Sequence, residues 1–174
     1  MKRSLLLLLA ACGGAVEPAP ATPPPITAAP GSGSAPAAES TGTSDEALLA
    51  VVYLHELSTA GIQDDETACL RVRDASGHSA DASSDVIDRV RTKYPRVVGA
   101  SACAGGGFDP VRVIDPPGQG IMFDIGPVLR DATGIRIKGG GAHRGGGSAK
   151  EIEYVIEISG STAKVVSERV TLQN

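Results

Sequence analysis

From Asp45 onward the chain alternates between two hydrophobic periods. Ala47, Ala50, Val51, Leu54 and Leu57 recur three and four positions apart, which predicts a helix carrying them on one face. Leu48, Leu49, Val52 and Tyr53 widen the apolar surface, so this helix is expected to be covered on more than one side. Thr43 and Glu46 stand in capping-box spacing, Asp45 and Glu46 suit the positive end of the helix dipole, and Gly61 ends the run. A second helix is predicted from about Asp85 to Lys93, with Val86, Ile87, Val90 and Tyr94 on one face. Ser83 or Ser84 would cap it, and Tyr94-Pro95 stops it.

The other segments follow a period of two. Ala68 to Val72 reads as a short strand, and Val111 with Val113 as another. Pro116-Pro117-Gly118 turns the chain into the alternating Ile121, Phe123 and Ile125. Asp131-Ala132-Thr133-Gly134 turns it again into Ile135 and Ile137. Ile152, Tyr154, Ile156 and Ile158 then line one face of a strand whose other face bears Glu151, Glu153, Val155 and Glu157. That is the pattern of a sheet with one solvated side. Ser159 to Thr162 leads into a last strand, Ala163 to Leu172. Consecutive hairpins after two helices predict a single α+β domain over 44–174, with two N-terminal helices packed on a mainly antiparallel sheet built of C-terminal hairpins.

The N-terminus has a different pattern. Lys2 and Arg3 precede an apolar run from Leu5 to Ala10, and Leu9-Ala10-Ala11-Cys12 closes it. A spanning helix needs roughly 20 apolar residues, and this run ends far short of that. Charge, leucines, small residues and cysteine in that order resemble the signal peptide and lipobox of a bacterial lipoprotein, here residues 1–11. The resemblance implies that Cys12 carries the lipid and becomes the first mature residue. Two or three acyl chains, at about 0.8 kcal/mol per buried methylene, anchor a protein stably to a membrane. An ordinary cleaved signal with a coincidental cysteine is the competing reading. Gly13 rather than aspartate after Cys12 favours the outer membrane if the source is Gram-negative, and the cell envelope in any case. Residues 12–43 are then the lipidated cysteine and a disordered Pro/Ala/Gly/Ser tether. Thr22-Pro23-Pro24-Pro25 favours extended chain and Gly31-Ser32-Gly33-Ser34 favours coil.

Charge narrows the partners. The formal net charge is −4, and losing Lys2 and Arg3 with the signal makes it −6. No run of Lys and Arg then remains to neutralise a phosphate backbone, so nucleic acid is excluded as an expected partner. The expected partners are the membrane, through the lipid on Cys12, and an envelope protein or polymer. With no tryptophan, three tyrosines and two phenylalanines, the chain also has little surface for stacking.

With Cys12 consumed by lipid, Cys69 and Cys103 remain of the three cysteines, and a pair in an exported protein is most simply a disulfide. Two buried thiols or a reactive cysteine are the rival readings. The glycine-rich stretch Gly139 to Ser148 contains His143 and Arg144. It could present backbone N–H groups and Arg144 to an anion, with His143 as proton donor, yet it lacks the Gly-Lys-Ser/Thr ending of a phosphate loop. The plainer reading is a mobile hairpin connection. A triad of Ser101, His143 and an aspartate can be written down, but no nucleophile elbow supports it. His55, His78 and His143 are not at zinc-ligand spacing. The acid-flanked stretch Asp74 to Asp85 has Ser79 where a calcium loop needs glycine. No catalytic residue, metal or other cofactor is therefore expected.

A wider resemblance rests on several segments. They are Cys69-Leu70, the Asp85-Val86-Ile87-Asp88-Arg89-Val90 helix, Val97-Val98-Gly99-Ala100-Ser101-Ala102-Cys103, Ile121 to Val128, the Gly139-Gly140-Gly141 hairpin and the final hairpin through Val165-Val166. Together they look like a group of small uncharacterised bacterial secreted and lipoprotein domains. Members often carry cysteines in the glycine-rich loop and tryptophans near the C-terminus; this chain has neither. The resemblance implies no particular activity. Two function classes stay open: a non-catalytic binding or scaffolding domain on a lipid anchor, or a hydrolase or anion-binding enzyme using the loop of His143 and Arg144.

Overall fold

The first helix, α1 (Asp45–Thr59), begins where Ser44 stays extended and its side chain accepts from the Ala47 N–H at 3.3 Å. Ser44, not Thr43, is the cap. The buried face is Leu48, Val52, Tyr53, Glu56 and Leu57, with Ala50 beside it. Ala47, Val51 and Leu54 are only partly covered, so the face is rotated from the expected stripe. Tyr53 sets that rotation: its ring is fully buried and its hydroxyl donates to the Arg71 carbonyl at 2.6 Å. Fully burying a side chain such as Leu48 or Val52 stabilises the fold by about 1.5–3 kcal/mol.

The computed structural model describes residues 43–146 and 150–173. The expected signal peptide, the expected lipidation site Cys12 and the expected tether apart from residue 43 lie outside them. Strand β1 (Thr67–Arg73) follows α1, then β2 (Ser79–Asp81), α2 (Ser84–Arg91) and β3 (Val97–Gly99). A single 3₁₀ turn, Ala100–Ala102, leads into β4 (Cys103–Gly106), β5 (Asp109–Val113), β6 (Gly118–Asp131), β7 (Gly134–His143), β8 (Lys150–Ser159) and β9 (Thr162–Gln173). Over the described residues the protein is thus α+β, with two helices and a mixed, mainly antiparallel sheet ordered β2-β1-β6-β7-β8-β9. Helix α2 is capped by Ser83, whose hydroxyl accepts from the Val86 N–H, and it buries Val86 and Val90 as its period requires.

Two features depart from the expected layout. Strands β1 and β2 precede α2, so only α1 is N-terminal to the sheet. Strand β1 is also central and runs parallel to both β6 and β3, with Arg71 level with Asp124 and Leu70 level with Gly99. A parallel neighbour requires a crossover, and α2 lies in the connection from β1 to β3. The hairpins do appear further on, as β6–β7, β7–β8 and β8–β9.

The glycine-rich stretch is the larger correction. Gly139 to His143 is not a mobile connection but the second half of β7, paired with Asp124 and Met122 of β6. A Cβ on Gly139 would lie 3.0 Å from Ile125 Cδ1 and 3.2 Å from both the Asp124 carbonyl and the Tyr154 ring. Gly139 is thus crowded from two neighbouring strands, and Gly141 takes a φ of +68° that favours glycine.

Two separate cores result. The larger joins Leu48, Val52, Tyr53 and Leu57 of α1 and Val86 and Val90 of α2 to alternate strand residues such as Leu70, Phe123 and Tyr154. The smaller contains Cys69, Val111 and Met122, with Val98 and Cys103 against it. Cys69 and Met122 alternate with Leu70 and Phe123 along their strands, which places the smaller core on the opposite face of the sheet. The Cys69–Cys103 disulfide fastens β4 there, and the β4–β5 hairpin partly covers that face. A bridge across 34 residues contributes about 4 kcal/mol in the chain-entropy account. Urea unfolding of the full chain with and without reductant should show a loss of that order, and an unchanged midpoint would contradict it.

Candidate functional site

On the disulfide-bearing face of the sheet, alternate positions of the central strands bring charges together. Arg71 and Arg73 are two residues apart on β1, and Asp124 lies beside them on β6. Asp124 is 2 % exposed, and its Oδ2 accepts from Arg71 at 2.8 Å and from Arg73 at 2.5 Å. Burying a carboxylate is costly unless it is paired, and two guanidinium groups supply that pairing. Asp124 Oδ1 and Arg71 Nε are sealed from solvent and have no hydrogen-bond partner among the described residues.

These residues line a cavity of about 460 Å³. Asp124 and Met122 form part of the floor, with the two arginines on one side and His143, Gly140 and Lys150 on the other. The tip of the β4–β5 hairpin and Leu172 of β9 complete the rim. Gly105, Gly106 and Gly107 at that tip all have positive φ, and a Cβ on Gly105 would lie 2.1 Å from the Pro110 carbonyl oxygen. Only glycine fits this turn, and it projects Phe108, 86 % exposed, beside the cavity.

His143 is half-buried, level with Met122. Burial holds its imidazole below the ordinary value of 6.5; the Asp124 carboxylate partly offsets this, and Arg71 and Arg73 reinforce it. The ring is therefore neutral at pH 7. The buried Tyr53 hydroxyl is shifted upward, mainly by burial and then by the Asp124 charge, so it stays protonated and donates its hydrogen bond to the Arg71 carbonyl.

The structure separates the expected pair His143 and Arg144. His143 faces the cavity above, whereas the Arg144 guanidinium bonds Glu66 through Nε at 2.6 Å and through a terminal nitrogen at 2.9 Å. That terminal nitrogen also reaches the Gly61 carbonyl, so Arg144 ties the end of β7 to the α1–β1 connection. Ser101 does not meet His143 either. Its hydroxyl donates to Asp81 at 2.5 Å and its N–H to the same carboxylate at 2.7 Å. His55 bonds Glu168, and His78 bonds Ser76, so the three histidines lie in different surroundings. Asp74 closes a local turn onto Ser76 and His78.

Arg71, Arg73, Asp124, Lys150 and Phe108 were not singled out from the sequence. The available signals were a lone aspartate inside the apolar run Ile121-Met122-Phe123-Asp124-Ile125 and an Arg-x-Arg on a strand. The pairing of two strands distant in sequence is what unites them. Compared with known proteins, the chain matches no family model, no curated protein and no solved structure.

Arg144's hydrogen bonds hold the Glu66 carboxyl below its ordinary value of 4.5, with the Gln63 N–H assisting against the opposing effect of burial. A carboxylate with a depressed folded value stabilises the native state fully above 4.5 and loses that contribution as pH falls through the folded value. Glu66→Gln should therefore lower stability at pH 7 and make it less dependent on pH below 4.5, read by urea unfolding across pH. An acid limb as steep as that of the parent would count against the pair.

Proposed function

We propose that the chain is a lipid-anchored cell-envelope protein whose domain binds or scaffolds another envelope component without catalysing a reaction on it. In this reading it belongs with the small bacterial secreted and lipoprotein domains it resembles, and in a Gram-negative cell it sits at the outer membrane. Cys12 carries the lipid, residues 13–43 hold the domain off the membrane, and α1 and α2 form the layer that backs the sheet.

The observation that supports binding is the engagement of Asp124 by Arg71 and Arg73 in a cavity rimmed by Lys150, Phe108 and Leu172. The carboxylate is committed to fixing the arginines, while the cationic and aromatic groups face outward, which is recognition chemistry. An enzyme built on His143 with Arg144 is the weaker reading, because Arg144 is held by Glu66 on a separate surface.

Two measurements on cells test the anchor and the binding face together. Labelled palmitate should enter the parent protein, and Cys12→Ala should lose the label and accumulate as precursor. A photocrosslinking residue in place of Phe108 should give a discrete adduct in intact envelopes, reduced at least fivefold by Arg73→Glu. Retained label in Cys12→Ala would overturn the anchor, and no adduct from position 108 would overturn the binding reading.

A further inference from the structure

The cavity has features that together select a ligand. Arg71 and Arg73 are side by side on β1, about 6.6 Å apart along the strand. Each guanidinium has five N–H donors and gives one to Asp124 Oδ2, so most of their donors remain for a second anion. Arg71 and Arg73 are 36 % and 44 % exposed, which leaves them reachable from the cavity. Lys150 adds a third cation to the wall, while the nearby Glu151 is already drawn to Lys138 at 3.5 Å.

A simple anion would not use the rest of the cavity. Asp124 Oδ1 is a buried acceptor without a donor, and Arg71 Nε is a buried donor without an acceptor. Both atoms are sealed from solvent, so an occupant of the cavity meets the outward-facing arginine nitrogens rather than these two. Part of the rim is apolar: Phe108 and Leu172 are exposed, and Met122 joins them in the lining. An aromatic ring with an aliphatic and a thioether side chain beside it gives a patch that takes an apolar side chain.

We propose that this cavity binds the free C-terminus of a peptide whose last residue is apolar. The carboxylate accepts from the donors of Arg71 and Arg73 that Asp124 leaves free, and the terminal side chain packs against Phe108, Leu172 and Met122. A cavity of about 460 Å³ admits one or two terminal residues, within the size range of small-ligand sites. The proposal rests on the reading of the domain as a binding module and names what that module recognises.

The test uses the full-length chain purified in detergent and fluorescein-labelled Gly-Ser-Gly-Ala-Leu, followed by fluorescence anisotropy. The free acid should bind saturably, and its C-terminal amide at least tenfold more weakly. Arg73→Gln should weaken the free acid at least tenfold and the exposed Phe108→Ala at least threefold, with both variants keeping the parent's far-ultraviolet circular dichroism. Equal binding of acid and amide, or undiminished binding by Phe108→Ala, would overturn the proposal. So would inorganic phosphate or an oligouronate displacing the probe at lower concentration than the unlabelled peptide acid. If no peptide binds while the position-108 adduct still forms in envelopes, the terminus is wrong and the binding module stands.

Discussion

A buried carboxylate between two arginines is the constraint on which the second face of the sheet depends. Asp124 sits on β6 with apolar neighbours on either side, where an unpaired charge would cost several kcal/mol. Arg71 and Arg73 meet it only because β1 runs parallel to β6 in the register that sets Arg71 beside it. The same β1 backbone is held from the opposite face by Tyr53, whose hydroxyl takes the Arg71 carbonyl. Helix, central strand and charged cavity are thus linked through one residue.

The glycines serve this arrangement in two ways. On β7 Gly139 lets the strand close against Asp124, Ile125 and Tyr154, which a side chain there would crowd. At the β4–β5 tip they permit positive φ and leave Phe108 standing outside the fold. The disulfide fixes the root of that hairpin to the strand that carries both arginines, so the rim and the floor are covalently connected.

Local chemistry was legible in the sequence, and long-range pairing was not. The α2 cap and its apolar face and the Ile152–Tyr154–Ile156 face of β8 follow from spacing, and the Cys69–Cys103 bridge is the simplest of the readings that the cysteine count left open. Parallel pairing of β1 with β6 leaves no local trace, because its partners are about fifty residues apart. Glycine-rich sequence was misread for a related reason: the atoms that exclude a Cβ from Gly139 come from β6 and β8. Arg144 looked like a ligand group because Glu66, which occupies it, is distant in the chain.

In the function proposed above, the cavity can hold a partner only if Asp124 holds the arginines as a unit. A double-mutant cycle on unfolding free energy, using Arg73→Gln, Asp124→Asn and the double variant, measures that coupling directly. A favourable interaction of about 1–3 kcal/mol is predicted for a charge-assisted pair at a buried carboxylate. Additive effects, with coupling near zero, would contradict the account.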